Sequence, residues 1–198
     1  MWWNDIARLP QTLSHVQRRI DASAQIAADA VVTGAVRIGP RTRICAGARI
    51  EGPVVIGADC MIGNNALVRG NTVLGDRCRI GFAVEMKQAL LADDVSVGPQ
   101  CYVADSVLAD GVYLGAQVRT SNHRLDRQPV QVLRDGERTD TGLEKLGCYI
   151  GANASLGIQC IVLPGREVAA GTLLGPRITV VRNLPSGRYV LRQDIERF

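Results

Sequence analysis

Apolar side chains recur along this chain every six residues. Counting in sixes from Ile26 gives Ile26, Val32, Ile38, Ile44, Ile50, Ile56, Ile62, Val68, Leu74, Ile80 and Met86, without a polar residue among them. At the chain's overall apolar content of 46%, chance produces such a run on the order of once in several thousand starts. Two residues before each anchor stand Ala24, Ala30, Val36, Thr42, Ala48, Val54, Cys60, Ala66, Thr72, Cys78 and Val84, all small or β-branched. One residue after the anchor, glycine is frequent: Gly39, Gly57, Gly63, Gly75 and Gly81. A period of six fits neither the 3.6 residues of a helical turn nor the simple alternation of a long strand. Two inward positions two residues apart describe a short strand, and a turn residue after each pair bends the chain. Three such strands close one coil of about eighteen residues, and coils stack by parallel pairing about 4.8 Å apart.

The register then slips. Leu91, Val97 and Val103 continue the pattern one residue early, and Leu108 and Leu114 one earlier again. The repeat stops after residue 116 and resumes at Ile150, Leu156, Val162, Val168, Leu174 and Val180. The gap predicts an excursion at roughly 117–146, in which "VQVLRDGERTD" forms a hairpin turning at Asp135-Gly136. Ahead of the repeat, a short helix is expected from Pro10 to Ile20, with Trp2 and Trp3 before it. The organisation expected is a helical segment at 1–22 and one all-β domain at 23–198, a parallel β-helix of about seven coils. The final stretch, "GRYVLRQDIERF", reads as a strand or tail.

Composition narrows the class. The 198 residues suffice for one sizeable domain, and with only 4% aromatics its core must be filled by aliphatic side chains. No apolar run is long enough to span a membrane, and "MWWNDIARLPQ" lacks the basic-then-apolar pattern of a signal peptide. Cys45, Cys60, Cys78, Cys101, Cys148 and Cys160 include no C-x-x-C pair. They are expected to be small buried residues in a reducing cytoplasm. The net charge of +4 comes without a basic run interleaved with aromatics, so nucleic acid is not an expected partner. A site for an anionic small molecule accounts for it as well.

Polar residues stand out where the repeat prefers glycine. Arg69 and Lys87 occupy that column eighteen residues apart, hence on adjacent coils. Two cations so placed repel unless a phosphate or carboxylate bridges them; the alternative is a pair of solvated cations pointing apart. The excursion opens with "TSNHRLD", containing His123, one of two histidines. A neutral imidazole suits a general base near pH 7, with Asp126 available to orient it; the alternative is an ordinary loop histidine. The other histidine, His15, falls in the expected helix, so a three-histidine zinc site is not expected.

Four segments in order, "VEMK", "YVADSVL", "LGAQVRTSN" and "KLGCYIG", resemble the acetyltransferase half of the bifunctional N-acetylglucosamine-1-phosphate uridylyltransferase/glucosamine-1-phosphate acetyltransferases. The archaeal-type sugar-phosphate nucleotidyltransferases are the most similar, sharing the hairpin before "KLG". The resemblance spans about residues 26–185 and implies a left-handed β-helix, where the usual crossover rule predicts the opposite hand. It also implies a homotrimer with sites between subunits, acetyl-CoA as co-substrate, and no metal. Arg69, Lys87 and Tyr102 match residues that hold the sugar phosphate, and Asn122 and Lys145 match substrate-binding positions. Ala116 matches a residue whose backbone meets acetyl-CoA.

Two positions depart from that family. Its catalytic histidine falls on Pro99, which accepts no proton, and an asparagine falls on Tyr113. The family's mechanism therefore does not run unchanged, and His123 becomes the candidate base. "HRLD" also looks like the "HPLD" of galactoside and maltose O-acetyltransferases, where that histidine is the base. No Gly-rich nucleotide loop precedes the repeat, so the chain is not expected to make nucleotide sugars itself. Two readings result. One is an acetyl-CoA-dependent acyltransferase acting on an amino- or hydroxy-sugar, phosphorylated or nucleotide-linked. The other is a non-catalytic sugar-phosphate-binding protein, or an assembly partner of a separate nucleotidyltransferase.

Overall fold

The computed structural model describes residues 1–134 and 136–192. Strands of two or three residues follow one another around three faces and pair in parallel with the strands above and below. Face 1 begins with Arg19–Ile20 and Val36–Ile38, face 2 with Gln25–Ile26 and Arg43–Ile44, and face 3 with Val31–Thr33 and Arg49–Glu51. The three sheets contain eight, nine and eight strands. The sixfold period is thus one strand and one corner, and the anchors stack. Ile38 pairs with Ile56 and Ile56 with Leu74, and the column continues through Leu91, Leu108, Ile150 and Val168.

Among the described residues there are eight coils and the start of a ninth, against about seven expected. Ile20 lies in phase, six residues before Ile26, and belongs to the first coil; Arg188–Tyr189 pairs with Leu173–Leu174 on the ninth. The β-helix therefore starts ahead of the expected boundary at 23. Its interior is aliphatic: Ile44, Ile62, Ile80, Leu91, Leu114 and Leu156 are all essentially inaccessible.

The glycines after the anchors are there for closeness rather than for an unusual backbone. A Cβ on Gly39 would lie 2.6 Å from the carbonyl carbon and oxygen of Gly57 on the next coil. The left-handed backbone that turns each corner comes two residues later, at Arg41, Asp59 and Arg77 (φ 56°, 56° and 58°). Stacking supports these residues in a conformation that costs a non-glycine residue about 1–2 kcal/mol.

The two slips in register fall on one corner. Leu74 pairs with Leu91 and Leu91 with Leu108, each seventeen residues on, and both missing residues come from the corner between faces 3 and 1. The same corner on the following coil releases the excursion. Departure is after Thr120 rather than after 116, because Val118 and Thr120 are buried and Arg119–Thr120 pairs with Ile161–Val162. Thr120 occupies an anchor slot that is aliphatic elsewhere. Its hydroxyl accepts a hydrogen bond from the Ala104 amide at 2.8 Å, which makes a polar residue tolerable there. Within the excursion Gln131–Arg134 and Glu137–Asp140 form the expected antiparallel hairpin; Asp135 of its turn lies outside the described residues.

The helix runs from Trp2 to Leu13, not from Pro10 to Ile20. Its buried face, Trp3, Ile6, Leu9 and Leu13, covers an outward apolar stripe on face 1 that includes Val55, Val73, Leu90 and Val107. Burying each such side chain contributes about 1.5–3 kcal/mol, and together they outweigh the roughly 3 kcal/mol cost of the interior Pro10. At the helix start, Trp2 Nε1 donates to Glu167 Oε1 at 2.7 Å, and the Trp2 ring lies 6.3 Å from that of Tyr149. The helix is therefore laid along the stack, from the eighth coil at its start back toward the third, and the chain reaches the first coil at Arg19–Ile20. Among the described residues no helix is long and apolar enough to cross a membrane.

Candidate functional site

The shortened corner assembles several of the polar candidates. Lys87 ends the face 3 strand Glu85–Lys87. Its Nζ lies 3.0 Å from Oδ2 of Asp105 on the next coil, and Asn122 Nδ2 donates to the same oxygen. The Asp105 side chain is 2% exposed and that of Lys87 21%. Backbone bonds fix the group from both sides. The Asp105 amide donates to Lys87 O at 3.1 Å, Gly147 N to Asp105 O at 2.8 Å, and Leu146 N to Asn122 O at 3.0 Å. His123 and Lys145 form an antiparallel bridge just beyond. The two ends of the excursion are therefore pinned together at Asp105. Sequence reading missed this residue, whose signal is the one-residue shortening of its corner.

Arg69 stands on the coil before Lys87, as the eighteen-residue spacing predicts, and its amide donates to Met86 O at 2.8 Å. Each cation already has a carboxylate from the chain. Arg69 Nη2 lies 2.7 Å from Glu85 Oε1, and Lys87 has Asp105. The repulsion that called for a bridging anion is relieved internally. Tyr102 is half-buried on the outside of face 3, in register with Glu85 and Arg119.

Ala116 stands apart from the Lys87–Asn122 group. It shares the corner between faces 2 and 3 with Pro99, whose carbonyl accepts from Gln117 N at 2.9 Å. That corner and the Lys87 corner bound opposite edges of face 3. Tyr113 is half-exposed on face 2.

His123 is exposed and lines a cleft of about 720 Å³ between the excursion and the last coils, with Leu125, Val132, Leu163 and Arg166 among its other walls. Asp126 does not orient it. Arg124 Nε donates to Asp126 Oδ1 at 2.8 Å and the Gln128 amide donates to the same oxygen. These bonds, Arg124's first, hold the Asp126 carboxyl at about 2.

The six cysteines are free and buried. Cys60 and Cys101 donate to the corner carbonyls of Gly75 and Gly115 on the next coil, each at 3.1 Å. Burial pushes the thiols of Cys101 and Cys160 up, and that of Cys148 to about 12. Those three are structural thiols without nucleophilic character.

The chain matches the family model of the GMPPB C-terminal domain over residues 50–135. It is 49% identical over 205 residues to a protein named uncharacterized acetyltransferase YaiX from Escherichia coli O6:K15:H31 (strain 536 / UPEC), an alignment covering 99% of this chain and 89% of that protein. It is 35% identical over 109 residues to the bifunctional sugar-1-phosphate nucleotidylyltransferase/acetyltransferase of Sulfurisphaera tokodaii, covering 55% of this chain and 27% of that protein. The latter is the archaeal-type similarity expected from the four segments. Among solved structures, UDP-N-acetylglucosamine acyltransferase from Campylobacter jejuni superposes with a TM-score of 0.50 at 14% identity, over 85% of this chain and 69% of that one. The likeness is one of fold, the left-handed parallel β-helix.

Proposed function

The chain belongs to the hexapeptide-repeat acetyltransferase family that includes Escherichia coli YaiX, and on that premise we propose that it moves an acetyl group from acetyl-CoA to an amino- or hydroxy-sugar. The observation that carries the reading is the placement of His123: exposed at a ligand-sized cleft and anchored through its backbone to Lys145, next to the Lys87–Asp105–Asn122 group.

In this reading the acceptor's nitrogen or oxygen attacks the thioester carbonyl of acetyl-CoA while the His123 imidazole takes its proton. The new bond is the acetyl C–N or C–O bond, the C–S bond breaks, and the imidazolium returns the proton to the departing thiolate. Lys87 and Asn122, fixed by Asp105, position the acceptor with Tyr102, Arg69 and Lys145. Ala116 contributes backbone to the donor site. Because Ala116 and His123 flank opposite edges of face 3, the reading calls for a trimer in which one subunit's Ala116 edge meets another's His123 edge.

The test is release of free coenzyme A thiol from acetyl-CoA with a panel of amino- and hydroxy-sugars. His123→Ala and His123→Asn are expected to lower kcat about 10²–10⁴-fold with acetyl-CoA affinity nearly unchanged by calorimetry. Wild-type rates in both variants would place the base elsewhere.

A further inference from the structure

The cleft beside His123 concentrates positive charge as no other part of the site does. Arg124 comes from the start of the excursion, Arg138 from the second hairpin strand, Arg166 from face 1 of the eighth coil, and Arg182 from just past that coil's last strand. Arg124 alone has a carboxylate, Asp126. Arg138, Arg166 and Arg182 take part in no ion pair among the described residues. Arg166 is held in place by donation from Nε to Val181 O at 2.9 Å. Burial, and then the charges of Arg138 and Arg124, pull its pKa below the ordinary guanidinium value. The contrast with Arg69 and Lys87 is direct: those cations are matched one for one by Glu85 and Asp105, whereas four arginines here share one carboxylate.

Beside Ser121, His123, Gln131 and Asn183, the rest of the lining is mostly apolar. Leu125 is fully exposed, Leu133 and Val181 are about half exposed, and Leu163 and Pro164 stand between the arginines. The volume of about 720 Å³ is that of a site for a nucleotide-sized molecule. Guanidinium groups pair with phosphate oxygens in a bidentate fork, and several around one cavity suit an anion of more than one charge.

We infer that this cleft binds a diphosphate-bearing ligand with an apolar or stacking arm, and that the acceptor's or donor's phosphates sit here rather than at Arg69 and Lys87. Two ligands of the proposed reaction have this chemistry: coenzyme A, with its diphosphate and pantetheine arm, and a nucleoside-diphosphate sugar. The inference rests on the acetyl-transfer reading for that choice of ligands, but its test reads binding alone.

The experiment is calorimetric titration of the full chain with inorganic pyrophosphate, coenzyme A and UDP-N-acetylglucosamine at one fixed salt concentration. The wild type is compared with an Arg138→Gln/Arg182→Gln double variant, whose side chains are exposed and hold no other element in place. An Arg37→Gln/Arg43→Gln variant removes the same charge from exposed positions on the first coils. Losing two charge-assisted bonds should weaken pyrophosphate binding by about tenfold to a hundredfold, while the control loses less than about twofold. Weakening of coenzyme A alone assigns the cleft to the donor, and weakening of the sugar nucleotide alone assigns it to the acceptor. Unchanged pyrophosphate affinity in the Arg138/Arg182 variant, or no binding of any of the three by wild type, overturns the inference. Intact acetyl transfer beside unchanged binding sinks the cleft and leaves the enzyme standing. Weakened binding in a protein that transfers no acetyl group does the reverse.

Discussion

Asp105 carries more of the site than any residue its neighbours in sequence would single out. It accepts from Lys87 and Asn122 while nearly enclosed, and its backbone bonds on to both Lys87 and Gly147. Asp105→Ala leaves a largely buried ammonium and a carboxamide without their acceptor. The expected loss is toward the low end of about 3–5 kcal/mol, since Lys87 keeps some contact with water. Asp105→Asn, which keeps the shape and one acceptor oxygen, loses less; urea denaturation of the two variants checks the order. Arg69 and Lys87 were legible because each breaks the glycine column, and His123 because it is one of two histidines and stands where the repeat stops; Asn122 and Lys145 came from the family resemblance alone. Asp105 was not, because an aspartate at a left-handed corner looks like Asp59 or Asp94, which are also at such corners but half-buried and exposed respectively. Burial and the one-residue shortening of its corner separate it from them. The supposed partnership of Asp126 with His123 failed for a related reason: three residues of spacing along a loop say nothing about a nearer competitor, and Arg124 is nearer.

The elements divide according to whether their pattern is self-contained. A strand–corner unit repeats its own signal, so the hairpin and all but the end coils are readable. Thr120 hides one strand because its buried hydroxyl is satisfied only by a neighbouring coil. The helix was misplaced because Pro10 reads as a helix start when taken alone. Its true face is defined by what it covers, the outward stripe of Val55, Val73, Leu90 and Val107, which the six-residue count treats as solvent positions. The helix contains both tryptophans of the chain, so their fluorescence reports its docking alone. Ile6→Glu places a charge on a fully buried position of that face and is expected to undock it. The tryptophan emission should shift to the red while the β-sheet circular dichroism persists. Loss of both signals together would mean that the coils depend on the helix for their folding.

A stack of coils derives its stability from nearest neighbours, so its ends are weakest. Ile26 on the first coil is 36% exposed, whereas Ile44, directly above it on the next, is 1% exposed. Backbone amides of residues 25–33 and 188–189 are therefore expected to exchange with deuterium well before those of residues 61–80, as mass spectrometry of the native protein would read. Uniform protection along the stack would show a single cooperative unit instead. At this scale the period supplied the faces, the stacking and the interior, but not the hand. Inward and outward positions alternate identically in either sense of winding, and the hand came from resemblance and then from the solved structure of like fold. The contact of Trp2 with Tyr149 and Glu167 has a consequence in time. During synthesis the helix leaves the ribosome before any coil exists, while the residues that receive its first turn are made more than a hundred residues later. Until then the first turn of the helix stays uncovered on the growing chain, open to chaperones and to other nascent chains. A chain that has emerged as far as Thr120 presents six stacked coils with no place yet for the first turn of the helix.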